Sequence, residues 1–387
     1  MPWRPRDMPW RAVRSCDAHH VSYCRPHTYP QISVQGALLL PWYLGVVNTL
    51  VEERVIDPQT TPGAGLSGGA VTAMNACAGK SPKDLFNQLK PSLVSCYETW
   101  DPESGSVPCN GQLSEIVYEG FASLLNASDP TQVADICPHV GIAFTNIDPS
   151  DSTFGSIESR ITANYSSDED ILRDLVSTSF LSCSSMSHPY FVNKGRATVD
   201  GGYSTNLKEL CGGTTDSCLT IQVYYPNTTE DGPVCTRQDT SDPSVGVELL
   251  SECLKEAGGS YNSSAAGPPA PAWANFTEIG DLPTTCPGGP TQFMPPGEAD
   301  IYPGKYVPLN YSCFEWQCMA YIPYPERLDD LYSLGEREAR AWIQDQLESV
   351  TNGSSNVTGS TSLPSSGDPS VATIVVPLAL LAACIAL

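Results

Sequence analysis

Residues 65–69 of this 387-residue chain read Gly65-Leu66-Ser67-Gly68-Gly69, a G-x-S-x-G run between an extended segment and a helix. The chemistry it suits is nucleophilic. Glycines on both sides let the backbone bend sharply and expose the serine at a helix N-terminus, where the dipole favours developing negative charge. A plain glycine-rich turn is the competing reading, because Gly and Ser are common here. A serine nucleophile needs a base, and histidine is the usual one, in the order Ser, Asp, His. His19, His20 and His27 precede Ser67; only His139, beside Pro138, and His188, in SSMSHPYF, follow it, and neither has a clear catalytic setting. Asp200 is the other candidate base. It follows the apolar strand end Ala197-Thr198-Val199 and precedes Gly201-Gly202, so its carboxylate emerges from a sheet edge into a loop. A simple D-G turn is the alternative there.

Elements able to position these groups can be read from periodicity. Gln31 to Gly36 reads as a short strand ending in glycine. A helix follows, with Leu40, Leu44, Val47 and Val51 on one face and Pro41 in its first turn, where the missing N–H is tolerated. The chain then passes through Ile56 to Gly65 and enters a second helix on which Val71, Met74 and Ala78 share a face. Val140 to Ile147 is a buried strand, Arg196 to Val199 a shorter one, and Leu219 to Tyr225 the last clear one. Residues 227–300, rich in Pro, Gly and Thr, read as an insertion pinned by Cys235, Cys253 and Cys286. From Glu326 a helix is expected, with Ala339, Trp342, Ile343 and Leu347 on one side. An α/β-hydrolase with a catalytic histidine fits poorly, since that fold places several strands before its nucleophile and one clear strand precedes Ser67.

The strand and glycine at 31–36, the helix LGVVNTLVEERVI, the GLSGG run and the later DGGYSTN together resemble the patatin-like phospholipases and acylhydrolases. Ser179 to Val192 resembles the stretch before that family's aspartate, and the Gly335-to-Trp342 helix its C-terminal helix; the resemblance covers roughly 30–226 and 300–349. It implies a three-layer α/β/α fold, interrupted in this chain by the Cys-rich insertion read above, and a Ser-Asp dyad acting on lipid carboxylic esters. Ser67 is then the nucleophile, Asp200 the base, Gly65, Gly68, Gly69, Gly201 and Gly202 the motif glycines, and Asn206 a further match. No histidine is required. The chain departs from the family at the oxyanion loop: where G-G-G-x-R/K-G is usual, it has Gln35-Gly36-Ala37-Leu38-Leu39-Leu40, with Leu39 at the basic position. The N–H groups of Gly36 and Ala37 are the donors the resemblance leaves. A catalytically silent surface protein that binds through the same fold is therefore the alternative, with a structural wall or coat component behind it.

The composition narrows the setting. A formal net charge of −23 and a sequence pI near 4.4 argue against nucleic acid or an anionic membrane as an electrostatic partner. The 31 glycines and 34 prolines with 16% charged residues exclude a long coiled coil. The fifteen cysteines include no CxxC pair and no Cys/His spacing suited to zinc, so no metal is expected, nor any other cofactor. Disulfides are the better reading for the twelve between Cys77 and Cys318, with Cys77, behind the serine, set apart as a candidate buried thiol. Sequons at Asn126, Asn164, Asn227, Asn262, Asn275, Asn310, Asn352 and Asn356 point the same way, to the secretory route.

The domain expectation is an N-terminal segment 1–29, a patatin-like domain 30–349, a Ser/Thr/Gly linker 350–370 and a hydrophobic tail 371–387. The first segment lacks the apolar core of a signal peptide, which suggests a truncated or misassigned start. The tail, VATIVVPLALLAACIAL, holds no charge and follows a polar spacer, an order that resembles a GPI-attachment signal with cleavage between Asn352 and Asp368; a tail-anchored helix is the alternative. Expected partners are a lipid ester and, through the tail, a membrane.

Overall fold

The structure, a computed structural model, describes residues 29–32, 37–104, 106–126, 133–148, 158–182, 185–186, 188–211, 218–223, 251–259, 272–274 and 299–354. Its organising strand is β3 (Val140–Asn146), VGIAFTN, buried along its whole length. Alternation sends Val140, Ile142 and Phe144 into one apolar cluster and Ala143 into another on the opposite face. The other strands are β1 (Tyr29–Ile32), β2 (Gly63–Leu66), β4 (Glu158–Thr162), β5 (Phe191–Asn193), β6 (Arg196–Asp200) and β7 (Cys218–Ile221), joined in the order β5-β6-β3-β2-β1-β7 with β4 also on β3. β7, β1, β2 and β3 are parallel; β4 and β6 lie antiparallel to β3, and β5 to β6.

The register of β3 brings two distant segments together. β4 occupies Ile142 to Asn146 along one edge. β2, paired with Val140 to Ala143, and β6, paired with Phe144 to Asn146, each overlap β4, so both must use the other edge. They meet head to head there: Leu66 pairs with Ala143 and Asp200 with Phe144, the next residue.

On the first face β3 packs with α1 (Leu40–Glu52), α2 (Gly68–Cys77), α3 (Pro82–Glu98), α4 (Leu113–Asn126), α5 (Val133–Ile136) and α6 (Asp168–Thr178). On the second, Ala64, Leu66 and Ala143 pack with Leu210 of α7 (Leu207–Leu210) and Ile161 of β4. α1 is buried and mostly apolar from Leu40 to Leu50, with Asn48 and Thr49 as polar exceptions, as suits a helix enclosed by its neighbours. It joins the first cluster to a second one that includes β7, Trp316 and the C-terminal helix Leu328–Ser354. Where that helix crosses α1 the backbones touch: a Cβ on Gly45 would overlap Tyr332 O, and one on Gly335 would overlap Trp42 O. Contacts divide the chain into Met1–Gln344 and Asp345–Leu387; the described part of the latter is the last turns of that helix.

Several boundaries differ from expectation. β1 begins at Tyr29 and ends at Ile32, and 33–36 lie outside the described residues. β7 ends at Ile221 rather than Tyr225. β4 and β5 were not anticipated: ESRIT is half-exposed and mostly polar, and FVN has only three residues, so neither leaves an apolar run to read. Cys77 is not a free thiol but is bonded to Cys137, with Cα atoms 5.8 Å apart; Cys96–Cys109, Cys211–Cys218 and Cys253–Cys318 are the other disulfides among the described residues. Cys253 ties the insertion to Cys318, whereas Cys235 and Cys286 lie outside the described residues. Four disulfides are compatible with a secreted or extracellular protein. No helix among the described residues is long and apolar enough to cross a membrane, and 371–387 are not among them.

Candidate active site

Ser67 stands between the last residue of β2 and the first of α2, with φ +53° and ψ −137°, a left-handed conformation that L residues rarely adopt. The turn is tight because α2 doubles back directly onto its own strand. A Cβ on Gly65 would lie 2.5 Å from Ala70 N, so only glycine fits. The strained serine is held by its backbone. Its N–H donates to Thr178 Oγ1 at 2.7 Å, and the Thr178 hydroxyl donates in turn to Ala143 O. Its carbonyl accepts from Ala70 and Val71. Gly68 and Gly69, in the first turn of α2, carry N–H groups that no carbonyl within the helix can satisfy.

Asp200 closes the gap from the other side. Its N–H donates to Phe180 O at 2.9 Å, and its carbonyl accepts from Thr145 Oγ1 at 2.8 Å. Gly202 N–H donates to Oδ1 at 2.7 Å. Gly201 has no room for a side chain, since a Cβ would overlap Ala143 O and approach Leu66 Cβ to 2.8 Å. Burial pushes the Asp200 carboxyl up from 3.8 to about 7, against the lowering effect of the hydrogen bonds from Gly202 and from the Ser67 hydroxyl. The contact with Ser67 is loose: Ser67 Oγ and Asp200 Oδ2 are both buried without a well-formed hydrogen bond. Such pairs commonly tighten only when substrate is bound.

An apolar cavity, partly open to solvent, begins one residue beyond Ser67, at Gly68. Gly68 and Ser179 border it at the candidate site, Leu38 and Leu40 form one wall, and Leu89 of α3 and Phe121 of α4 stand on others. The leucines at 38–40 are core residues. Leu38, Leu39 and Leu40 are 5%, 0% and 8% exposed, as the entry to α1. Ala37 begins a 3-10 turn, Ala37–Leu39, and Gly36 lies outside the described residues.

The remaining candidates do other work. His139 Nε2 lies 3.0 Å from Pro58 O and 3.5 Å from Cys77 Sγ, which ties it to a loop. Burial lowers the pKa of His188. Asn206 and Glu209 exchange hydrogen bonds between each other's backbone N–H and side chain at the start of α7, a capping role. Reading the sequence missed Thr178 and Thr145, since an isolated threonine carries no pattern that marks its hydroxyl as a backbone partner. Among the described residues no group of three His, Cys, Asp or Glu side chains is placed to hold a metal ion.

Fold and site together define an α/β protein with a serine on a strand-to-helix elbow beside a buried aspartate. No family model matches the chain, and no curated protein matches it. Among solved structures it is similar to VipD from Legionella pneumophila, with 14% sequence identity and a TM-score of 0.35, over 82% of this chain and 67% of that one.

Proposed function

We propose that this protein is a patatin-like lipid acyl hydrolase working through Ser67 and Asp200. The observation that carries the reading is the pairing of a strained serine, φ +53°, with a fully buried carboxyl whose pKa is raised to about 7. A carboxylate poised near neutral pH is suited to general-base work. In this scheme Asp200 takes the Ser67 proton as Oγ bonds to the ester carbonyl carbon. The tetrahedral intermediate collapses, the C–O bond breaks, and the leaving alcohol takes that proton. Water then attacks the acyl-enzyme and gives its proton to Asp200, which returns it to Ser67 as the carboxylic acid departs. The N–H groups of Gly36 and Ala37 remain the proposed oxyanion donors, and the unsatisfied N–H groups of Gly68 and Gly69 in the first turn of α2 are further candidates beside Ser67. The apolar cavity suits an acyl chain.

A second reading, a silent protein that binds lipid through this fold, is favoured by two observations: Ser67 is 1% exposed, and Leu39 stands at the family's basic position. Fluorophosphonate labelling with hydrolysis of short-chain esters separates the two. The enzyme is labelled at Ser67 alone and loses hydrolysis in Ser67→Ala and Asp200→Asn, while His139→Ala and His188→Ala retain it. A folded protein that is neither labelled nor active against several lipid esters is the silent one. We further propose a glycosylated, cell-surface location with a GPI anchor formed near 352–368. Asn164 and Asn310 are exposed sequons, which supports glycosylation. Release from intact cells by a phosphatidylinositol-specific phospholipase tests the anchor.

A further inference from the structure

We propose that the segment from Thr178 to Phe180, at the end of α6, is the spacer that sets the separation of Ser67 and Asp200, with Thr178 as a positioning residue. The proposal rests on the reading of those two residues as nucleophile and base. One follows the end of β2 and the other ends β6, more than 130 positions apart. Two residues of one short segment hold both backbones: Thr178 Oγ1 takes the Ser67 N–H at 2.7 Å, and Phe180 O takes the Asp200 N–H at 2.9 Å.

Thr178 acts in both directions. Its oxygen accepts from Ser67 while its proton goes to Ala143 O, on the strand whose register brings β2 and β6 end to end. Ser67 and Asp200 are each 1% exposed, and Thr178 and Phe180 are fully buried, so water is not at hand to replace either bond. The segment is itself fixed. One turn upstream on α6, the buried Asp174 accepts from Asn193 Nδ2 of β5 at 2.6 Å and from Thr162 Oγ1 of β4 at 2.8 Å. Between the two gripping residues, Ser179 turns its hydroxyl back to Leu175 O at 2.7 Å and borders the apolar cavity. Only a side chain that both accepts and donates can fill position 178; serine meets that requirement and valine does not.

The test compares Thr178→Val, nearly the same shape, with Thr178→Ser and with Ser177→Ala, whose hydroxyl bonds Arg173 O of its own helix. With a short-chain p-nitrophenyl ester, Thr178→Val should lower kcat about 100-fold, the loss expected when a reacting group is displaced by about 1 Å. KM should stay within about twofold, and the pH midpoint should not move. Thr178→Ser should recover most of the rate, and Ser177→Ala should match the wild type. A Thr178→Val enzyme within about threefold of wild-type kcat, or a Thr178→Ser enzyme as slow as the valine variant, overturns the spacer. If valine prevents folding, Thr178→Ala replaces it with the same expected contrast to serine. Hydrogen exchange at the Ser67 amide keeps the two proposals apart. A wild type with no hydrolysis and no labelling sinks the enzyme reading, whereas Ser67 exchange that is equally slow in wild type, Thr178→Val and Thr178→Ser sinks the spacer.

Discussion

Replacing Asp200 by asparagine should abolish hydrolysis and stabilise the protein above neutral pH at the same time. The carboxyl is fully buried and its pKa rises from 3.8 to about 7 on folding, so the native state binds the proton more tightly than the unfolded chain. Stability from this group is therefore fully present below about pH 4, falls as pH rises toward 7, and is lost above that. The difference between the two pKa values corresponds to about 4 kcal/mol. Asparagine does not titrate, and any change in its hydrogen bonding is independent of pH. The stability of Asp200→Asn relative to wild type should thus grow by about 4 kcal/mol between pH 4 and pH 8, measured by urea denaturation in parallel series. On the proposed reading of Asp200 as the base, the same proton governs turnover: wild-type kcat/KM should climb about tenfold per pH unit below 7, to a plateau above it, leaving about 1% of the plateau at pH 5. A stability difference constant to within about 1 kcal/mol over that range, or a rate that peaks near pH 5, would refute the assignment of a buried, proton-holding base.

Other expected outcomes follow from single contacts. Gly65→Ala and Gly201→Ala place a methyl against Ala70 N and Ala143 O, and should each destabilise by about 3 kcal/mol and remove activity, read by denaturant midpoint and ester hydrolysis. Replacing both Cys77 and Cys137 by serine opens a loop with a sequence separation of 60 and should cost about 4 kcal/mol, and mass-spectrometric counting on the denatured, unreduced wild type should find at least eight fewer reactive thiols than cysteines. Leu89→Trp fills the cavity between α3 and α4, and should spare two-carbon acyl esters while raising KM for long-chain ones at least tenfold.

Much of the site was legible because it is local. The glycines around Ser67, the apolar helix after Leu40 and the strand Val140–Asn146 are patterns of neighbours in sequence, set by sterics and by the period of burial. Asp200 could be singled out by its place at a strand end before two glycines, and the five histidines could be weighed against it. β4 and β5 could not be read, since an edge strand of mixed polarity and a three-residue strand hold no periodic signal. The leucines at 38–40 could be seen as a departure, but the packing of Leu38 and Leu40 as a wall of the cavity depends on α2, α3 and α4 arriving beside them, and that of Leu39 on the second cluster with β7.

By itself the sequence determined a chain with an α/β alternation, a serine on a glycine-bounded turn and an aspartate at a strand end. Whether those two groups meet was decided by β3, whose one free edge receives β2 and β6 end to end and so places Leu66 and Asp200 opposite consecutive residues. Tertiary structure likewise decided that Thr178 holds the serine amide and that burial raises the aspartate to a pKa of about 7. Register, burial and hydrogen bonds to distant backbone are properties of segments brought together from far along the chain. Local propensity carries no record of them until the sheet has formed.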